Sequence, residues 1–241
     1  MNNDISVQFK NITKEYKLCK KSKYKIFQIL FNKKGIKTKI VLDNISLSIK
    51  KGESVAILGK NGMGKSTLIK LLSGITYPTS GNIYTNGKVS SILELNAGFE
   101  SDFTGRENIY LKCKILGLKN EEINQIIDDI ITFADIGDYI DEPVRTYSSG
   151  MRARLGFAIS SHIKPDILAI DEVFSVGDYK FKQKCLDKVN EIKKDKSVTF
   201  ILVTHSIEIA KEFCNRGILI DNGKIIFDGE IDVCAEKYLL I

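Results

Sequence analysis

The stretch that decides the fold is SVAILGKNGMGKSTLIKLLSG, residues 54–74. It opens with a short apolar run of strand type and closes with a helical run that ends at Gly74. Between them stands Gly59-Lys60-Asn61-Gly62-Met63-Gly64-Lys65-Ser66, a complete GxxxxGKS in the strand-then-helix setting that this pattern requires. Glycines at 59, 62 and 64 let the backbone curl so that successive N–H groups turn inward. The helix that follows adds the positive end of its dipole. Such a cradle suits the oxygens of a nucleoside triphosphate. Lys65 is placed to reach the β and γ phosphates, Ser66 offers a hydroxyl to Mg²⁺, and Thr67 donates to the α phosphate from the first helical turn, with Asn61 in the same nucleotide-contacting loop.

Working outward, ILAIDE at 167–172 is an apolar strand that ends in two acids. At the carboxyl edge of a sheet such a strand tip meets the phosphate loop. Asp171 is then expected to hold the magnesium, and Glu172 to orient or deprotonate the attacking water. KPDILAIDE at 164–172 and VTFILVTH at 198–205 contain short, fully apolar strands of the kind buried in a parallel sheet with helices on both faces, so the class is α/β. Upstream, ISVQF (5–9) and IVLDNISLSI (40–49) read as strands, with a turn at Lys50-Lys51-Gly52-Glu53. An Asn86-Gly87 turn signal separates two more strand-like runs. Residues 105–134 read as helical, with Asn120 as an N-cap and Ile123, Ile126, Ile127, Ile130 and Ile131 on one face. GILIDNGKIIFDGE (217–230) is a hairpin signal centred on Asn222-Gly223, and AEKYLLI (235–241) a short final helix.

At 241 residues the chain suits one domain, or one domain with an inserted subdomain. No apolar run approaches the roughly 18 residues that span a bilayer, and MNNDISVQF lacks the pattern of a signal peptide, so the expected location is cytoplasmic. The five cysteines are scattered, without a CxxC pair, which reads as reduced thiols and not a metal site. The net charge of +6 is local. Residues 10–39 hold eleven lysines against the single acid Glu15, leaving the rest near −4. Such a patch suits an anionic membrane surface, nucleic acid or an acidic partner, and a merely solvated face is the ordinary alternative. Within it YKIFQILF (24–31) has helical potential.

Tyr147-Ser148-Ser149-Gly150-Met151 resembles the signature motif of the ABC ATPases, Ser175-Val176-Gly177-Asp178 resembles their D-loop, and His205 fits their switch histidine. These follow the phosphate loop and the acids in the family's order and cover nearly the whole chain. The resemblance implies a P-loop ABC-type ATPase domain over 1–241. Its parts would be a mixed-sheet core and an N-terminal antiparallel β subdomain (1–96 and 162–241), an inserted helical subdomain (97–161) and a basic insertion (18–39). It further implies a homodimer packed head to tail, each ATP lying between one phosphate loop and the other chain's Ser148, Ser149 and Gly150, with Asp178 also at the nucleotide. His205 would contact the γ phosphate and Tyr16 would stack on adenine, an ordinary strand aromatic being the alternative. The family's usual glutamine before the helical subdomain is missing; Glu94 in ILELNAGFESDFTGREN is the nearest match, an oxygen ligand for magnesium of changed charge.

ELNAGF, FTGREN, YSSGMRARLGFAIS and IDEVFSVGD together resemble the branch whose members export O-antigen, capsular polysaccharide or teichoic acid. That implies a peripheral position at the cytoplasmic face of the membrane, a separate integral permease as partner and a lipid-linked glycan as cargo. An ABC importer or drug exporter shares the same engine. A soluble ABC protein on nucleic acid usually has a second ATPase module or a long coiled coil, which this sequence lacks, so no nucleic acid is expected.

Overall fold

The computed structural model describes residues 4–18, 37–92, 98–171 and 178–241. Most of the basic insertion with its expected helix at 24–31, Glu94, Glu172 and Ser175-Val176-Gly177 lie outside the described residues. Within them the chain runs β1 (Ile5–Leu18), β2 (Lys37–Lys50), β3 (Ser54–Leu58), α1 (Lys65–Leu72), β4 (Ser80–Thr85), β5 (Val89–Ile92), α2 (Gly105–Ile115), α3 (Asn120–Ala134), α4 (Ser149–His162) and β6 (Ile167–Asp171). It continues through α5 (Tyr179–Lys194), β7 (Thr199–Val203), α6 (Ile207–Phe213), β8 (Arg216–Asp221), β9 (Lys224–Glu230) and α7 (Ile231–Leu239). Two compact units result, one of Met1–Lys50, Ser54–Asn86 and Val203–Ile241, the other of Lys51–Glu53 and Gly87–Leu202. The segment 97–161 falls within the second unit, which also holds β5, β6 and α5. No helix among the described residues is long and apolar enough to cross a membrane.

In the first unit β2, β1 and β4 form an antiparallel sheet in that order. Strand alternation explains it: on β2 Ile45, Leu47 and Ile49 are buried while Asn44, Ser46, Ser48 and Lys50 are exposed. β3 pairs in parallel with β8, and β8 turns back antiparallel into β9, so strand directions are mixed. Asp221 pairs with Lys224 across a two-residue turn, and Asn222 and Gly223 both have positive φ, 46° and 76°. That is the mirror-image turn whose twist matches a hairpin, as the Asn-Gly pair foretells. Val55 to Leu58 of β3 are buried, with α7 against β3 and β8.

In the second unit β5 pairs in parallel with β6, Val89 opposite Ile167. β6 is buried from Ile167 to Ile170. α3 buries Ile123, Ile127, Ile130 and Phe133, with Ile126 and Ile131 half-buried at the margins of the stripe. Phe133 stacks on Phe157 of α4 at 5.8 Å and meets the edge of Phe181 of α5, also at 5.8 Å. α4 is buried almost all round from Ala153 to Ser161, so it forms the centre of the helical layer.

The chain turns at Asn86-Gly87 between two strands, as expected, β4 joining β1 and β5 joining β6. Two local readings are corrected. The helical stretch 105–134 is two helices, because Gly117 takes φ 87° and Leu118 N–H closes on Cys113 O, a Schellman-type stop. Asn120 is the first residue of α3 and not its cap; Glu122 reaches back to accept from Lys119 N–H at 2.7 Å, so the boundary lies one residue earlier. The helix that follows Ser148 starts at Ser149, because the Ser148 hydroxyl caps it there.

Candidate functional site

The phosphate loop leaves β3 through Gly59 and passes Gly62 and Gly64 at φ 81° and 103° before α1. A Cβ on Gly64 would stand 2.7 Å from both Leu42 Cδ2 and Val41 O, and one on Gly59 would collide with Ile220 O. The loop is therefore wedged between β2 and β8, where only glycine fits. The hairpin turn braces it as well. Asn222 N–H donates to Met63 Sδ at 3.3 Å, Asp43 N–H donates to Gly223 O at 2.8 Å, and Lys224 pairs with Asp43 at 3.2 Å. Lys65 is only 5% exposed, so its ammonium needs compensation; Nζ donates to Gly59 O at 2.5 Å and Lys60 O at 3.0 Å. Asn61, Gly62 and Ser66 are exposed and Thr67 is half-buried.

His205 lies beside this loop. Thr204 N–H donates to Ile57 O at 3.3 Å, so the chain leaves β7 level with the end of β3, from which the loop springs. His205 is exposed, and Ser206 fixes the exit by donating its N–H to Thr204 Oγ1 and capping α6. Tyr16 stands on β1 opposite Lys39, 37% exposed, with Lys14 Nζ 5.1 Å from its ring centroid. Lys14 in turn is opposite Leu42, the side chain packed against Gly64. Tyr16 is thus two residues, about 7 Å, along the strand from that contact. The phosphate loop, His205 and Tyr16 all belong to the first unit.

In the second unit Asp171 ends β6 half-buried. Ser148 is the N-cap of α4, its Oγ accepting from Met151 N–H at 3.2 Å, and Ser149 and Gly150 occupy the first turn. Ser148 and Ser149 are exposed, so the helix start presents hydroxyls, N–H groups and the dipole to solvent. The approach is rigid: Tyr147 is buried, its hydroxyl donates to Tyr139 O, and Arg152 Nη2 donates to Tyr147 O at 2.9 Å. Burial pushes the Tyr147 phenol up to about 12. Asp178 caps α5, Oδ1 accepting from Phe181 N–H at 2.8 Å, while Oδ2 accepts from Arg154 Nη2 at 2.6 Å. The Phe181 N–H first, and then Arg154, hold its carboxyl below the usual range. Motif reading passes over Arg154. Its one signal is a charge set inside the small and apolar run RARLGFAISS.

A loop that tolerates only glycine at two close approaches and keeps a buried lysine on its own carbonyls belongs to the phosphate-loop nucleotide-binding proteins. Residues 42–175 match the ABC transporter family, and the chain belongs to that family. It is an ABC-type ATPase. Among its relatives is the O-antigen export system ATP-binding protein RfbB of Klebsiella pneumoniae, 42% identical and covered over 96% of each chain. The teichoic acids export ATP-binding protein TagH of Listeria monocytogenes is 44% identical over 99% of this chain and 71% of its own length. A solved dimeric ATP-binding cassette in a post-hydrolysis state with ADP and Pi aligns over 93% of this chain and 98% of its own, with a TM-score of 0.74 at 22% identity, which supports the fold.

Proposed function

We propose that this chain is the ATP-binding and ATP-hydrolysing subunit of an exporter of lipid-linked glycan of the O-antigen, capsule or teichoic acid kind. It works as a homodimer at the cytoplasmic face of the membrane, attached through a separate integral permease. The observation that carries the reading is that one chain presents both halves of a nucleotide sandwich: a glycine-walled phosphate loop and an exposed, capped helix start at Ser148-Ser149-Gly150. The names of the export relatives give the cargo class.

ATP lies between the loop of one chain and Ser148 to Gly150 of the other. Lys65 passes from the Gly59 and Lys60 carbonyls to the β and γ phosphate oxygens, Thr67 donates to the α phosphate, and Tyr16 stacks on adenine. His205 contacts the γ phosphate from the exit of β7, and Asp178 ends the segment that reaches the shared nucleotide. Ser66 and Asp171 are hard oxygen donors suited to Mg²⁺, with Glu94 as a further oxygen; the ion would neutralise charge on the phosphate oxygens when bound. Glu172, next to Asp171 in the chain, orients the attacking water. Closure on binding and reopening on hydrolysis drive the permease.

The test is ATP turnover by the purified chain and by its membrane complex. Lys65→Ala is expected to weaken nucleotide binding, and Glu172→Gln to retain ATP while stalling turnover and trapping a dimer. Deleting the chain should leave lipid-linked glycan inside the cell. Full turnover in the Glu172→Gln variant, or no magnesium-ATP binding by the wild type, would refute the reading.

A further inference from the structure

Arg154 is the sixth residue of the signature helix α4, and its side chain is only 18% exposed. From α4 it touches two further helices of the second unit through three residues. Nη2 donates to Asp178 Oδ2 at 2.6 Å, at the start of α5. Nη1 donates to Asp135 O at 3.3 Å and lies 3.5 Å from Asp135 Oδ2, at the end of α3 where Asp135 takes φ 51°. The guanidinium plane covers Phe181 at 4.7 Å from the ring centroid. A planar fork with several fixed donors can hold all three at once; an ammonium cannot.

The carboxylate of Asp178 is divided between two duties. One oxygen caps α5 and the other belongs to Arg154. Its two oxygens therefore fix the direction of the residue that closes segment 175–178 relative to α4, whose N-terminal turn holds Ser148 to Gly150. The Asp178 side chain is 62% exposed, and a pair open to solvent at one end contributes little stability, so this one is better explained by geometry than by energy.

We propose that Arg154 is a positioning residue: it aims Asp178 from the signature helix, so that engagement of Ser148 to Gly150 with nucleotide is passed to the segment ending at Asp178. This rests on the reading that two chains hydrolyse ATP between them. Arg154 contacts no nucleotide in this role and acts through Asp178.

Steady-state ATP turnover of the full-length chain tests it with Arg154→Gln, Arg154→Lys, Asp178→Asn and the double variant R154Q/D178N. Asparagine still accepts from Phe181 N–H, so D178N keeps the helix cap and removes only the charged partner. Expected is a kcat loss of about tenfold for R154Q and for D178N with the KM for ATP within about twofold, R154K falling between, and the double variant no worse than either single one. Thermal unfolding is measured alongside. A lowered Tm with unchanged kcat in R154Q, or losses that multiply in the double variant, overturns the inference alone. A wild type that does not turn over ATP overturns the proposed function and this inference with it.

Discussion

Ser148 joins one job that the structure shows to a second that we propose for the same hydroxyl. As the cap of α4 it accepts from Met151 N–H at 3.2 Å, and as an exposed group at a helix start it faces the proposed γ phosphate. Ser148→Ala removes both, costing about 1 kcal/mol of cap energy. For a chain of this size that lowers Tm by about 2–4 °C. Ser148→Asp keeps the cap and adds a negative charge where the dipole favours it, about 0.3–1 kcal/mol, so its Tm equals or exceeds that of the parent. The same carboxylate stands against the phosphate. Two like charges about 4 Å apart cost about 1 kcal/mol in water and about 4 kcal/mol at an effective dielectric of 20. ATP-dependent dimerisation should therefore weaken by at least about fivefold and up to about a thousandfold. Light scattering with ATP, in a Glu172→Gln background that holds the dimer, reads one effect and thermal unfolding the other. A Ser148→Asp protein that dimerises as well as its parent would refute the trans contact, and an unshifted Tm in Ser148→Ala would refute the cap.

Phe157→Ala empties the centre of the aromatic cluster of the second unit, where Phe157 is 1% exposed, and should cost about 3–5 kcal/mol in denaturant unfolding. Gly64→Ala forces a Cβ to 2.7 Å from Leu42 Cδ2 and Val41 O at φ 103°; the backbone strain alone is about 1–3 kcal/mol, and calorimetric titration should show ATP binding lost. His162 donates from Nδ1 to Ala158 O at 2.7 Å, and burial holds its imidazole below the usual range, so the fold takes up a proton there less readily than the unfolded chain, which does so near pH 6.5. Stability should therefore be lost as pH falls through that range, and Tm measured from pH 7 to 5 should fall less steeply in His162→Gln.

The phosphate loop, the buried strands and the Asn222-Gly223 hairpin were legible because each is encoded within a dozen residues. Asn86-Gly87 shows the limit. The same dipeptide bends the chain, but which strand each side joins depends on β1 and β6, some 80 residues away in either direction. One helix boundary slipped by a residue where a side chain reached back, Glu122 to Lys119. The candidate residues were legible as types and spacings, since glycine, lysine and paired acids are tied to phosphate chemistry. Arg154 was not, because a helix arginine gains meaning only from Asp135 and Asp178, which lie 19 and 24 residues away in sequence and are brought close by packing.

The brace behind the phosphate loop has a consequence for biosynthesis. Met63 meets Asn222 across 159 residues of chain. At about 5–20 residues per second a ribosome needs roughly ten to thirty seconds to make that interval. The nascent polypeptide exposes its glycine cradle long before the final hairpin exists to seat it. Nucleotide affinity is therefore expected to arise late and abruptly, and ribosome-stalled chains ending before Arg216 should fail to retain ATP although every residue of the loop has already been synthesised.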